Sequence, residues 1–286
     1  MDTQDILFKV AVKDLKAAKS LYSQKLYAQA VFSMQQSVEK ATKSFGLLLK
    51  MTTPTDLQKN VGHKTSKMYL KGMEEYSETM TELQTISANY PQIMTTGVLS
   101  KFDFDNFAQK TNQDLNTFKS LKPHSFFNLR LREIENILAQ LEECQKGFDK
   151  FVEHMDRLDK EILFKAYDQI IDTLKAFNTP ETDLACEEIN QMLGDEEQVE
   201  MLMQSMKLYQ KMMGVLMPLF MNLYCLGLLF DPHATKTRYP YEDTQSNPLE
   251  IYHARMPLIK KLPELMNVLE KSLKTMKNLN KDFNLN

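Results

Sequence analysis

The stretch "DLKAAKSLYSQKLYAQAVFSMQQSVEKATKSFGLLL", residues 14–49, decides the fold. From Tyr27 onward the apolar positions are Tyr27, Val31, Met34, Val38, Ala41, Phe45 and Leu48, in alternating steps of four and three. That spacing lays one stripe along a helix and predicts a core-facing helix from about Tyr27 to Lys50. Leu7, Val10, Leu15, Ala18 and Leu21 keep nearly the same period and predict a first helix over residues 5–22, with "SQKLY" as a short turn. Gln35, Glu39 and Lys40 stand among the apolar residues of the second helix, where Ala or Leu would serve packing. Gln35 and Glu39 are four apart and share a face beside the stripe, and Glu39 and Lys43 repeat the spacing in the order that favours an ion pair. Two readings stay open. One is a solvated flank with a single pair worth ~0.2–0.5 kcal/mol; the other is the wall of a site.

Composition supports helices throughout. The 286 residues allow one large domain or two ordinary ones, and 8 Gly and 10 Pro are few breakers for a chain of strands. The formal net charge of −3 gives no global basic field for nucleic acid, but leaves a local basic patch open. Cys144, Cys186 and Cys225 are widely spaced without a CxxC pair, which speaks against a disulfide framework or zinc site and fits a reducing cytoplasm. The opening "MDTQDILFKVAVKD" lacks the pattern of a signal peptide. The most apolar run, "VLMPLFMNLYCLGLLF" (215–230), carries Pro218 and Asn222 and is shorter than an ordinary span of ~20 residues. It reads as a buried helix, and no membrane is expected. Residues 201–221 are rich in Met without a His among them, so adaptable packing is expected rather than a soft-metal site. His154, His233 and His253 are scattered and read as surface or loop residues. No metal or cofactor is expected.

Further along, Pro54 and Gly62 break the chain before a third helix at roughly 65–89. Residues 90–124 read as a loop plus a short helix near 104–119. From Ser125 to Phe177 the pattern is helical, with Phe127 on the apolar face and a bend near Gly147 or at 156–160. Thr179 and Pro180 suit the N-cap and first turn of a helix at 181–193, and a long helix follows at 196–229. Residues 230–248 form the clearest loop, and a last helical region covers 249–281, with Pro263 starting a fresh helix inside it.

Three pieces resemble the HEPN domain family, the helical domains named for higher eukaryotes and prokaryotes. The helix-turn-helix of residues 14–49 resembles the family's opening pair. "GHKTSKMYL" (62–70) is similar to its Gly-His-x-x-x-x-Leu segment, and "TRYPYED" (237–243) to its Arg-Tyr-Pro loop. In the family the last two lie close in sequence, whereas here most of the chain separates His63 from Arg238. The expected organisation is therefore an all-α, discontinuous HEPN-like bundle, residues 1–77 and 206–286, around a helical insertion at 78–205.

The resemblance implies a ligand groove bordered by Gln35, Glu39, Lys40, His63, Arg238 and Tyr239. It implies a nucleotide or RNA ligand, a nucleotidyltransferase-type protein partner, a homodimer, and a toxin–antitoxin or phage-defence setting. His63, just before a helix, would face phosphate where free N–H groups favour anions, and Arg238 would grip phosphate with its planar fork. Each has a structural alternative: His63 bonding backbone, Arg238 tying its loop to a helix end. Ribonucleases of the family pair an Arg with a His after four to six residues. None of the five Arg here is followed by a His at that distance. A non-catalytic binding module is the expected function; a divergent RNA-cleaving toxin using His63 or His233 with Arg238, and a purely structural interaction protein, are the alternatives.

Overall fold

The computed structural model describes residues 2–62, 65–89, 103–120, 123–155, 159–237 and 247–283. All elements among them are helical, so the all-α expectation holds. Helix α1 spans Thr3–Ser23 and α2 Tyr27–Leu48. The turn between them is a Schellman motif: Leu26 N–H reaches the Leu21 carbonyl at 3.0 Å and Lys25 N–H the Tyr22 carbonyl at 2.9 Å. Lys25 takes the left-handed conformation, φ 62°, where glycine is usual. Helix α2 ends the same way, with Met51 N–H on the Gly46 carbonyl at 2.9 Å and Lys50 at φ 56°.

The remaining elements are α3 (Pro54–Asp56), a π-turn at Leu57–Val61, α4 (Ser66–Asn89) and α5 (Phe104–Ser120). After them come α6 (Leu131–Met155), α7 (Lys160–Lys175), α8 (Pro180–Gly194) and α9 (Glu196–Phe230). The short α10 (His233–Lys236) and α11 (Pro248–Ile251) precede α12 (Pro257–Phe283). Gly62 closes the π-turn at φ 55°, a conformation that suits a residue without Cβ. Thr179 caps α8 in a capping box with Pro180 in the first turn, as the sequence suggests.

Two boundaries differ from expectation. The helix expected from Ser125 starts at Leu131, because Pro123–Phe126 forms a 3-10 turn and Phe127 follows it outside any helix. Of the two places expected for a bend or hairpin, Gly147 lies inside α6, while α6 ends at Met155 and α7 starts at Lys160, in keeping with the expected 156–160. Pro263 starts no helix: α12 begins at Pro257 and runs through it. Pro263 is exposed, so its ring stands on the solvent side while Leu262 and Leu265 beside it stay buried, and the helix continues.

By packing, the chain divides into two compact units. The first comprises Met1–Gly72, Ser120–Phe148 and Val215–Asn286, and the second Met73–Lys119 and Asp149–Gly214. In the first unit α1 and α2 form the main pair, and α12, α10 and α11 pack on α2. Val31, Met34, Val38, Ala41 and Phe45 are buried as the stripe requires, while Tyr27 and Leu48 at its ends are half-buried. Leu219, Leu223, Leu226 and Phe230 of α9 are fully enclosed, so the apolar run 215–230 is largely core. By length and composition alone α9 could cross a membrane, but 44% of its most apolar window is buried inside the protein. Tyr69 is enclosed too, edge-on to Phe220 and Tyr224 at 4.7 and 5.1 Å, and burial pushes its phenol far above the usual range. In the second unit Leu163, Val199 and Met203 make the core of α7 and α9, and the Ser77 hydroxyl donates to Asn112 Oδ1 at 2.7 Å between α4 and α5.

Candidate polar site on the second helix

Helix α2 carries more than its stripe. Gln35, Ser37, Glu39, Thr42 and Ser44 are also buried, so the helix is enclosed on nearly every side. The reading of Gln35 and Glu39 as a solvated flank is therefore corrected: they are 1% and 5% exposed. For Gln35, Ser37, Glu39 and Ser44, partners make this burial tolerable, because a buried polar group without them costs free energy. Two hydroxyls use α1: Ser37 donates to the Ala11 carbonyl at 2.7 Å and Ser44 to the Gln4 carbonyl at 3.0 Å.

The longer side chains link into one ridge. Lys43 Nζ donates to Glu39 Oε1 at 2.7 Å, and Gln35 Nε2 donates to Glu39 Oε2 at 3.2 Å. Gln36 Nε2 donates to Gln35 Oε1 at 2.7 Å. Lys40 Nζ then donates to Gln36 Oε1 and to Asp14 Oδ2 of α1, both at 2.8 Å. The expected Glu39–Lys43 pair is thus present as a buried pair rather than a surface one. Lys40, whose side chain is 22% exposed, is the predicted site residue on this helix that still meets solvent.

His63, Arg238 and Tyr239 lie outside the described residues, but the residues flanking them meet. Thr65 Oγ1 donates to Asp231 Oδ1 at 3.3 Å, across 166 residues of sequence. Helix α9 comes close enough for this because position 227 is glycine; a Cβ there would stand 2.9 Å from Thr65 Oγ1. From Asp231 the chain enters α10, which packs on α2, and it returns through α11, which also packs on α2. Both segments that carry the remaining predicted site residues therefore start or end beside α2 or α9.

Sequence reasoning missed His233. It is 1% exposed rather than a surface or loop residue. Its Nδ1 lies 2.7 Å from the Tyr252 hydroxyl, and its ring stands 4.8 Å from that of Phe127. Burial first, and Lys236 second, lowers its pKa to about 3, so the ring is neutral at physiological pH. A neutral, enclosed and hydrogen-bonded imidazole suits packing better than acid catalysis on an incoming substrate. Its enclosure depends on tertiary partners far along the chain, so its own neighbourhood in sequence gave no signal. His253 is exposed. Beside this cluster, a cavity of about 190 Å³ is lined mainly by apolar side chains, among them Phe126, Phe127, Ile134 and Leu229. Among the described residues, no three His, Cys, Asp or Glu side chains gather to hold a metal ion.

The carboxylate of the ridge is already bonded to a lysine and an amide, and the described histidine nearest the Arg238 segment is locked to a tyrosine. The family model described as HEPN domain matches residues 5–101. The match takes in α1, α2 and α4, and with them the Gln35–Lys43 ridge and the Gly62–His63 segment. Such a domain implies a function related to nucleotides or RNA. No curated protein and no solved structure matches the chain.

Proposed function

We propose, from the HEPN match over residues 5–101, that the first unit is a non-catalytic binding module for a nucleotide or RNA. Lys40, His63, Arg238 and Tyr239 border its groove, and Gln35 and Glu39 act behind them by holding α2 and its lysines in register. The observation that carries this reading is the Thr65–Asp231 hydrogen bond, which holds Thr65 of the first family-like piece, residues 62–70, beside Asp231, which precedes the second piece, residues 237–243. The match supports a nucleotide- or RNA-related function, and the missing Arg–His spacing speaks against cleavage. A toxin–antitoxin or phage-defence role, a nucleotidyltransferase-type partner, a homodimer and a cytoplasmic location belong to the same proposal.

The test is Arg238→Ala and Arg238→Lys, titrated with a fluorescent ATP analogue and a labelled uridine 20-mer, with melting followed on the same preparations. The expected result is strong loss of binding for Ala and partial recovery for Lys, which keeps the charge but loses the bidentate fork. Unchanged affinity with an earlier melt would make Arg238 structural and remove it from the site. A nuclease assay on the purified protein checks the catalytic alternative; RNA cleavage that disappears with Arg238→Ala would establish it.

The interaction-protein reading has one observation in its favour. Leu184 of α8 and Met201, Leu208 and Tyr209 of α9 are 55–62% exposed in the second unit. Exposed apolar side chains suit a contact surface where they form one contiguous patch.

A further inference from the structure

Although the protein is acidic overall, one seam of the first unit is basic. On α12, Glu270, Lys274 and Lys277 follow i, i+4, i+7 and share a face. On α1, Lys16 and Lys19 are three apart and do likewise. An ion pair joins the two faces, Lys19 Nζ to Glu270 Oε1 at 2.7 Å. Helical spacing thus puts four lysines, Lys16, Lys19, Lys274 and Lys277, on the two faces that this pair joins, and the Glu270 carboxylate is already paired. Asp14, the other acid on this part of α1, is held by Lys40. Lys16, Lys274 and Lys277 are exposed and form no ion pair with a described residue. From Lys271 to Lys281 the chain carries four lysines and no acid.

We propose that this α1–α12 seam binds the sugar-phosphate backbone of single-stranded RNA. The proposal rests on the nucleotide- or RNA-related reading of the domain, but on a surface separate from the α2 groove. The exposed side chains of α12 between Asn267 and Asn278 are two asparagines, Glu270 and three lysines. A protein partner would need apolar or aromatic anchors there, because these carry most of the energy of a protein interface. A polyphosphate needs only cations, and lysines on flexible stems follow an irregular backbone without reading its bases. The net charge of −3 argues against binding nucleic acid over the whole surface and leaves a local strip as the means available.

The experiment measures anisotropy of a labelled uridine 20-mer with the full chain across a salt series. The variants are Lys274→Gln/Lys277→Gln, Glu270→Gln and Arg238→Ala. For single strands, each lost phosphate contact lowers the slope of log K against log salt by about 0.7, which is roughly fivefold in affinity at 0.1 M salt. The double variant should therefore bind about 25-fold more weakly with a slope shallower by about 1.4. Glu270→Gln frees Lys19, so it should bind up to about fivefold more tightly with a steeper slope, a gain that loss of structure does not produce. Glu270, Lys274 and Lys277 are exposed, and unchanged melting curves confirm folding.

Wild-type affinity and slope in the lysine variant overturn the seam. So does weaker binding by Glu270→Gln. If the lysine variant is normal and Arg238→Ala is impaired, the groove stands and the seam falls. If the lysine variant is impaired and Arg238→Ala is normal, the seam stands and the groove reading falls.

Discussion

Helix α2 and the part of α9 within the second unit depart from the simple picture of an amphipathic helix in opposite directions. Helix α2 buries Gln35, Ser37, Glu39, Thr42 and Ser44 together with its apolar stripe. In the second unit α9 leaves Met201, Leu208 and Tyr209 at 55–62% exposure. Polarity along a helix therefore tells which face is apolar, and the number of neighbouring elements decides how much of the helix is covered. Helix α2 has α1, α12, α10 and α11 around it. In the second unit the Leu163–Val199–Met203 cluster encloses one side of α9.

The comparison can be broken most forcefully at Phe45, which is 1% exposed on α2. Phe45→Ala should cost about 3–5 kcal/mol, the usual range for removing a buried aromatic ring. Chemical denaturation measures it, and a loss below about 1 kcal/mol would mean that the helix is far less enclosed than described.

Next in size is Glu39. Glu39→Ala strands Lys43, whose side chain is 14% exposed, without its carboxylate. Breaking a buried pair from one side costs about 3 kcal/mol. The double variant Glu39→Ala/Lys43→Met should recover much of the loss, and a cycle without coupling between the two would dissolve the ridge.

His233 gives a prediction in pH. Its folded pKa of about 3 lies below the ordinary value of 6.5, so between these values the unfolded chain binds a proton that the folded chain does not. Its contribution is complete above pH 6.5 and falls as pH drops toward 3, by up to about 1.4 kcal/mol per pH unit. Urea melts from pH 7 to pH 4 should show a shallower decline for His233→Gln than for the wild type. Parallel declines would mean that the ring titrates normally.

The smallest effect belongs to the exposed side of α9. Leu208→Gln should shift stability by less than about 0.5 kcal/mol, as surface changes do. A loss of several kcal/mol on dilution of the wild type, abolished by Leu208→Gln, would instead reveal a partner surface there.

Much of the fold was legible in the sequence. The steps of four and three placed α2, and Thr179–Pro180 placed the start of α8, because both signals are local. The misreadings have non-local causes. Pro263 reads as a helix start, yet α12 runs through it, held by the buried Leu262 and Leu265 on either side. Phe127 fits a helical period, yet it sits in a turn with its ring 4.8 Å from that of His233 and 4.1 Å from Lys236 Nζ. Of the site, the sequence showed that Gln35 and Glu39 were unusual but not that they were buried. Their burial depends on Lys43 and on the helices packed over α2.

The most direct test of the account is hydrogen exchange by mass spectrometry, with and without the uridine 20-mer. The account predicts slower exchange with RNA in peptides covering 57–62, 65–70 and 231–237, and none of that slowing in peptides from 180–214. Slowing confined to 180–214, or no slowing anywhere with saturating RNA, would contradict a nucleotide- or RNA-binding first unit.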